Sequence, residues 1–69
     1  MLKPHTHIEF RHLDGALLSE SDEHAAPFRL EAGEQMHFGD KVYRVREIID
    51  STPREVDGVL HFRRLVRMG

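Results

Sequence analysis

The chain has 69 residues and no cysteine, and 39% of its residues are hydrophobic. This length and composition predict one small domain spanning 1–69, with no room for a second. A domain of this size buries only about 60% of the surface that its unfolded chain would expose, so one thin core must stabilise it. The lack of cysteine excludes disulfides and a four-thiolate zinc site.

Ten basic and twelve acidic residues give a net charge of −2, so the chain as a whole does not attract a phosphate backbone. The charge is unevenly spread, with three basic and seven acidic residues in 1–34 and seven basic and five acidic residues in 35–69. Apolar runs such as 16–18 are far shorter than the roughly 20 residues of a membrane span. Polar residues follow Lys3 where a signal peptide would be apolar. We therefore expect a cytoplasmic chain without a membrane partner.

Three short turn signals divide the sequence. Aspartate and glycine tolerate the positive φ angles of tight hairpins, and they stand side by side at 14–15, 39–40 and 57–58. Three hairpin turns imply at least four strands.

In the first half of the chain, apolar and polar residues alternate with a period of two, which is typical of half-buried strands. This pattern occurs at 5–13, 28–31 and 35–38. Residues 16–19 are predicted as the return strand of the first hairpin. The acidic residues that follow are predicted as an exposed loop, with a single helical turn within 19–26 as the alternative.

The second half contains the strongest strand candidate, 41–49, which is rich in β-branched and aromatic residues. The adjacent pair Ile48 and Ile49 breaks its phase, so we predict a β-bulge near Arg46 or Glu47. Residues 51–58 are predicted as a polar loop. Residues 59–68 are predicted as a strand, with a short C-terminal helix as the alternative. Because Arg64 falls in the apolar phase of that strand, a second bulge or an early strand end is expected.

Five or six short antiparallel strands predict an all-β fold, a small partly open barrel of SH3-like or OB-like type. The strand phases also predict the core of this barrel. Its expected members are Ile8, Phe10, Phe28, Leu30, Met36, Phe38, Tyr43, Val45, Ile48, Leu60, Phe62 and Val66.

Histidine is unusually frequent, with six residues. His5 and His7 project to one side of a strand and are weak candidates for metal ligands. His37 and His61 are assigned to outward faces, so they would extend such a site if their strands were neighbours. Without a fixed partner spacing, solvated surface histidines are the favoured interpretation, and no metal or cofactor is predicted. Protonation of all six would reverse the sign of the net charge.

Arginines are concentrated in the C-terminal half, where the predicted strands 41–49 and 59–68 would form a hairpin. The guanidinium group suits both carboxylates and phosphates. With Arg54, these arginines could form one basic stripe, and five of them are predicted to bind a partner: Arg44, Arg46, Arg63, Arg64 and Arg67.

The sequence contains no cysteine nucleophile, nucleophile elbow, phosphate-binding glycine loop or zinc-protease motif. We therefore predict a non-catalytic protein interaction module that binds a protein partner or a second copy of itself. The alternative is weak nucleic-acid binding by the same arginines. All five aromatic residues are assigned to the inward phase, which disfavours base stacking.

Overall fold

The computed structural model describes residues 2–69, and these residues form six β-strands and no helix. The strands are β1 (Lys3–His12), β2 (Leu17–Glu23), β3 (Gln35–Phe38), β4 (Lys41–Asp50), β5 (Arg54–Val56) and β6 (Val59–Met68). The all-β prediction is confirmed, and the C-terminal segment is a strand instead of a helix.

The last strand lies at the centre of the sheet, whose order is β2-β1-β6-β4-β3. β5 pairs with the N-terminal part of β6, and β4 pairs with its C-terminal part. The sheet curls into a half-barrel, as the predicted small open barrel requires. It is a mixed sheet, because β1 and β6 run parallel. The prediction of antiparallel strands alone missed this pair, since parallel strands need a long connection that leaves no local signal.

All three predicted turns are present. They join β1 to β2, β3 to β4, and β5 to β6. In the last of them, Asp57 and Gly58 have φ angles of 50° and 79°, and they connect the paired residues Val56 and Val59. Two consecutive positive φ angles are typical of the hairpin turn whose twist matches the flanking strands.

Two irregularities interrupt the pairing of β6 with the segment that runs from β4 to β5. Val45 pairs with Met68 but Glu47 pairs with Arg67, so Arg46 is an extra residue at the predicted bulge. The second irregularity lies in 51–53, opposite β6. The prediction of a bulge or early end within 59–68 is therefore wrong, since β6 pairs with β1 without a break from Val59 to Met68.

The core lies on the inner face of the sheet. Its buried side chains are Thr6, Ile8, Phe10, Val45, Val66 and Met68. Six partly buried side chains pack against this cluster: Leu18, Leu30, Met36, Phe38, Tyr43 and Ile48. Most of the predicted core is confirmed. Leu60 and Phe62 are only half-buried and lie outside the cluster, and Met68 is an additional member.

The predicted strand at 28–31 is wrong. These residues are irregular, and the Phe28 side chain is 46% exposed. The Phe28 carbonyl accepts a hydrogen bond from the Arg64 guanidinium at 2.6 Å instead of one from a neighbouring strand. Four alternating residues are too few to specify a strand when a side chain, and not a neighbouring strand, provides the hydrogen bond to the backbone.

Two other segments contain more strand than expected. β2 continues to Glu23, because its residues pair with β1 between Thr6 and Arg11, so there is no helical turn within 19–26. The predicted loop 51–58 contains β5, which pairs with β6. In both places backbone hydrogen bonds to a neighbouring strand outweigh a polar sequence with weak strand propensity.

Candidate binding groove on the outer face

The outer face of the sheet is arranged in rows of neighbouring side chains. Side chains alternate along a strand, so the odd-numbered residues of β1 and β6 face away from the core. Cross-strand partners on one face lie close together. His5 is opposite His61, His7 is opposite Arg63, and Glu9 is opposite Leu65.

β5 adds Arg54 to this face. Asp50 pairs with Arg64, and Arg54 pairs with His61. The four residue steps from Asp50 to Arg54 therefore lie opposite only three residue steps of β6, from Arg64 to His61. If 51–53 were regular strand, the four steps would make Arg54 pair with Leu60 and share the inner face with Asp50. Bulges often re-aim side chains at functional sites, and here the irregularity in 51–53 places Arg54 beside His61.

A groove of about 630 Å³ opens beside these rows. It is lined by His5, His7, Ser51, Thr52, Arg54, Val56, His61, Phe62 and Arg63. A second cavity of about 350 Å³ shares His7, Ser51 and Arg63 with the first. The two cavities therefore form one continuous trough along β1 and β6, which we call the outer groove.

The imidazoles of the outer groove are joined to one another and to one carboxylate. The Nδ1 atoms of His5 and His61 lie 3.2 Å apart, so one ring donates and the other accepts through an unprotonated nitrogen. His5 Nε2 and His7 Nδ1 each lie 3.0 Å from Asp22 Oδ1. The hydrogen bond from His7 lowers the pKa of the Asp22 carboxyl, and this effect exceeds the opposing effect of burial.

His24 completes the imidazole cluster. Its ring centroid is 6.0 Å from that of His5. The loop that carries it is fixed by the buried Thr6, whose hydroxyl donates to the Ala25 carbonyl at 2.6 Å. The sequence pattern gave no reason to group His24 with the others, because the contact depends on β2 pairing with β1 as far as Glu23.

Two guanidinium groups in the groove have no acidic partner. Within residues 2–69, no carboxylate oxygen lies within ion-pair distance of Arg54 or Arg63. Other outer-face arginines are paired: Arg11 with Glu9 at 2.8 Å, and Arg67 with Glu47 at 3.6 Å. The histidine end of the groove therefore holds two guanidinium charges that no carboxylate of the described residues neutralises.

The structure does not bring the five predicted partner-binding arginines onto one face. Arg63 lines both cavities of the groove. Arg64, the next residue, borders only the second cavity, and its side chain turns to the inner face, where it is only 9% exposed. It makes two hydrogen bonds to Asp50 and stacks over the Phe28 ring, 5.8 Å from its centroid. Arg63 and Arg64 face opposite sides of the sheet because side chains alternate strictly along an unbroken strand.

The remaining three predicted arginines lie away from the groove. Arg44 donates to the Gly33 carbonyl at 2.7 Å, and Arg46 is the exposed extra residue of the β4 bulge. Arg67 is two rows beyond Arg63 on β6 and lies near Glu47. Ser51, Thr52 and Arg54 were missing from the predicted site, because 51–58 was predicted as a loop and its pairing with β6 leaves no local signal.

The structure brings three of the four histidines considered as a cluster together. His5, His7 and His61 share the outer face, but His37 lies on β3, at the far edge of the sheet. Across residues 2–69, no three His, Asp or Glu side chains are positioned to hold a metal ion together. The geometry instead gives a hydrogen-bonded imidazole cluster around Asp22.

Residues 2–69 contain no helix with the length and apolar character needed to cross a membrane. Comparison of the chain with protein-family models, with curated proteins and with solved structures finds no match.

Proposed function

We propose that this domain is a non-catalytic binding module that takes an acidic segment of a protein partner in the outer groove. One observation carries the proposal. Two guanidinium groups without carboxylate partners, Arg54 and Arg63, line the same cavity as three imidazoles and two hydroxyls. Guanidinium forks bind carboxylates through two parallel hydrogen bonds.

The electrostatics of the groove support an anionic ligand. Among residues 2–69, the carboxylate that hydrogen-bonds the imidazole cluster is that of Asp22, and it already accepts from His5 and His7. The His5 side chain remains 24% exposed and the Arg63 side chain is exposed, so both are within reach of a ligand. Acidic side chains would gain charge-assisted hydrogen bonds there at little desolvation cost to the arginines.

A protein ligand is favoured over a nucleic acid. Base stacking needs exposed aromatic side chains, and the one Phe, Tyr or Trp among the described residues that line the groove, Phe62, is half-buried. The Glu20 carboxylate lies 3.6 Å from His7, where it would repel a phosphate backbone that continued along the groove. A short acidic segment needs only the basic end.

A non-catalytic role is supported by the hydroxyl groups. Within residues 2–69, neither Ser51 nor Thr52 hydrogen-bonds an imidazole, whereas nucleophilic catalysis needs a base within hydrogen-bonding reach of the nucleophile.

The experiment is a fluorescence anisotropy titration with a labelled glutamate-rich peptide. The wild-type protein should bind the peptide. The double variant Arg54→Gln/Arg63→Gln should bind it at least about tenfold more weakly, which is equivalent to about 1.4 kcal/mol. The matched control is Arg29→Gln, since Arg29 pairs with Glu31 outside the groove.

Equal affinity of the double variant and the wild type would overturn the proposal. So would preferential binding of an oligonucleotide with an affinity that falls steeply as salt rises, because that is the signature of phosphate contacts. Sedimentation at several concentrations, with and without the double substitution, tests whether the acidic partner is a second copy of the chain.

A further inference from the structure

The outer groove differs in character along its length. Its first two rows are basic, with Arg54, His61 and His5 in one row and Arg63 and His7 in the next. The third row contains two apolar side chains that are directly opposite each other. They are Ile49 on β4 and Leu65 on β6.

The third row presents an apolar surface. Ile49 is 45% exposed, and both apolar residues line the second cavity. Glu9, the β1 residue of this row, is held by two hydrogen bonds from Arg11, at 3.0 and 2.8 Å. Its charge is therefore compensated within the chain. Exposed apolar surface next to an unpaired basic cluster favours a ligand that is acidic at one end and apolar at the other.

The spacing of the rows matches an extended peptide. Successive rows are two residues apart, which is about 6.6 Å along a strand. A peptide in extended conformation repeats its side chains on one face with the same spacing, so residues at alternate positions meet successive rows.

From this match, and resting on the proposed function, we propose that the groove recognises an extended segment with two acidic residues at alternate positions and an apolar residue two positions beyond the nearer acid. The acidic side chains face Arg54 and Arg63. The apolar side chain covers Ile49 and Leu65. The order along the peptide depends on whether it runs parallel or antiparallel to β6.

The test uses synthetic capped peptides at fixed net charge. Glu-Ser-Glu-Ser-Leu and its reverse carry the proposed pattern in the two directions. Two controls lack it: Glu-Ser-Glu-Ser-Ser has no apolar residue, and Glu-Leu-Glu-Ser-Ser places leucine on the opposite face of the extended chain. One of the two patterned peptides should bind the wild-type protein with at least about fivefold higher affinity than either control, as expected for partial burial of a leucine side chain.

Protein variants locate the effect. The advantage of the patterned peptide should disappear in Ile49→Thr, which keeps a β-branched residue on an exposed strand position. It should persist in Val42→Thr, a matched control, because Val42 is 51% exposed on the same strand but lies outside the groove.

Two results overturn the inference alone. They are equal affinity of all four acidic peptides for wild-type protein, and an undiminished leucine advantage in Ile49→Thr. In either case the proposed function stands, since acidic peptides still bind. If no acidic peptide binds at all, the proposed function fails and this inference fails with it.

Discussion

Arg54 and His61 are directly opposite each other on β5 and β6, and both line the outer groove. They share this face although the segment 51–53 contains one residue more than the β6 segment it faces. In a regular strand the four steps from Asp50 would bring Arg54 back to the inner face, so its outward position depends on the irregularity that accommodates the extra residue.

Deleting Thr52 should keep Arg54 in the groove, because the three steps that remain from Asp50 to Arg54 match the three steps from Arg64 to His61. Affinity for an acidic peptide is then expected to stay close to that of the wild type. Adding Arg54→Gln to the deletion should lower the affinity as far as Arg54→Gln lowers it in the wild type. A circular dichroism spectrum that matches the wild type would show that the deletion variant keeps its strands. Weak binding by a deletion variant that keeps its strands, with no further loss on Arg54→Gln, would contradict this account of the register.

Arg63 and Arg64 are adjacent in sequence and should give opposite results on substitution. Arg64→Ala should lower the free energy of unfolding by about 1–3 kcal/mol, because it removes bonds to Asp50 and to the Phe28 carbonyl from a nearly buried position. Peptide affinity should hardly change. Arg63→Ala should weaken peptide binding and leave stability within about 0.5 kcal/mol of wild type. Urea unfolding and anisotropy together check this, and an exchange of the two effects would show that the faces are assigned wrongly.

The groove imidazoles should contribute to binding of the acidic peptide. Three imidazoles line the groove, and an imidazole N–H can donate to a carboxylate. The triple variant His5→Gln/His7→Gln/His61→Gln should bind the peptide about three- to tenfold more weakly than the wild type in an anisotropy titration. His37→Gln should bind it as the wild type does, because His37 lies on β3 at the far edge of the sheet. Equal affinity of the triple variant and the wild type would count against the imidazoles as ligand-binding groups.

The lowered pKa of the Asp22 carboxyl predicts a contribution to stability that acid removes. The folded state holds this carboxylate's proton more weakly than the unfolded state, whose value is near 3.8. The stabilisation is therefore complete above that value and is lost as pH falls through the lower folded-state pKa. Asp22→Asn should be less stable than wild type at pH 5, and the difference should shrink below pH 3.

Urea titrations at the two pH values measure this difference. The control is Asp40→Asn, which changes an exposed aspartate in the turn between β3 and β4. A difference between wild type and Asp22→Asn that is the same at both pH values would show that the carboxylate charge is not what stabilises the fold.

Local sequence determined much of this protein. Alternation with a period of two is a property of neighbouring residues, so the inward and outward sides of β1 and β4 could be predicted from the sequence. Positive φ angles belong to single residues such as Gly58, so the three turns could be predicted as well. The adjacent isoleucines at 48–49 revealed the bulge at Arg46 because they break the alternation.

Only the tertiary structure decided which strands became neighbours. His5 and His61 are separated by 56 positions, and their contact follows from the parallel pairing of β1 with β6. The extra residue in 51–53 has no signature in a polar loop, since its register is defined only against β6. Pairing between distant strands depends on packing of the whole core. For this reason the sequence predicted one stripe of arginines, whereas the structure places these arginines apart and brings three imidazoles together in the groove.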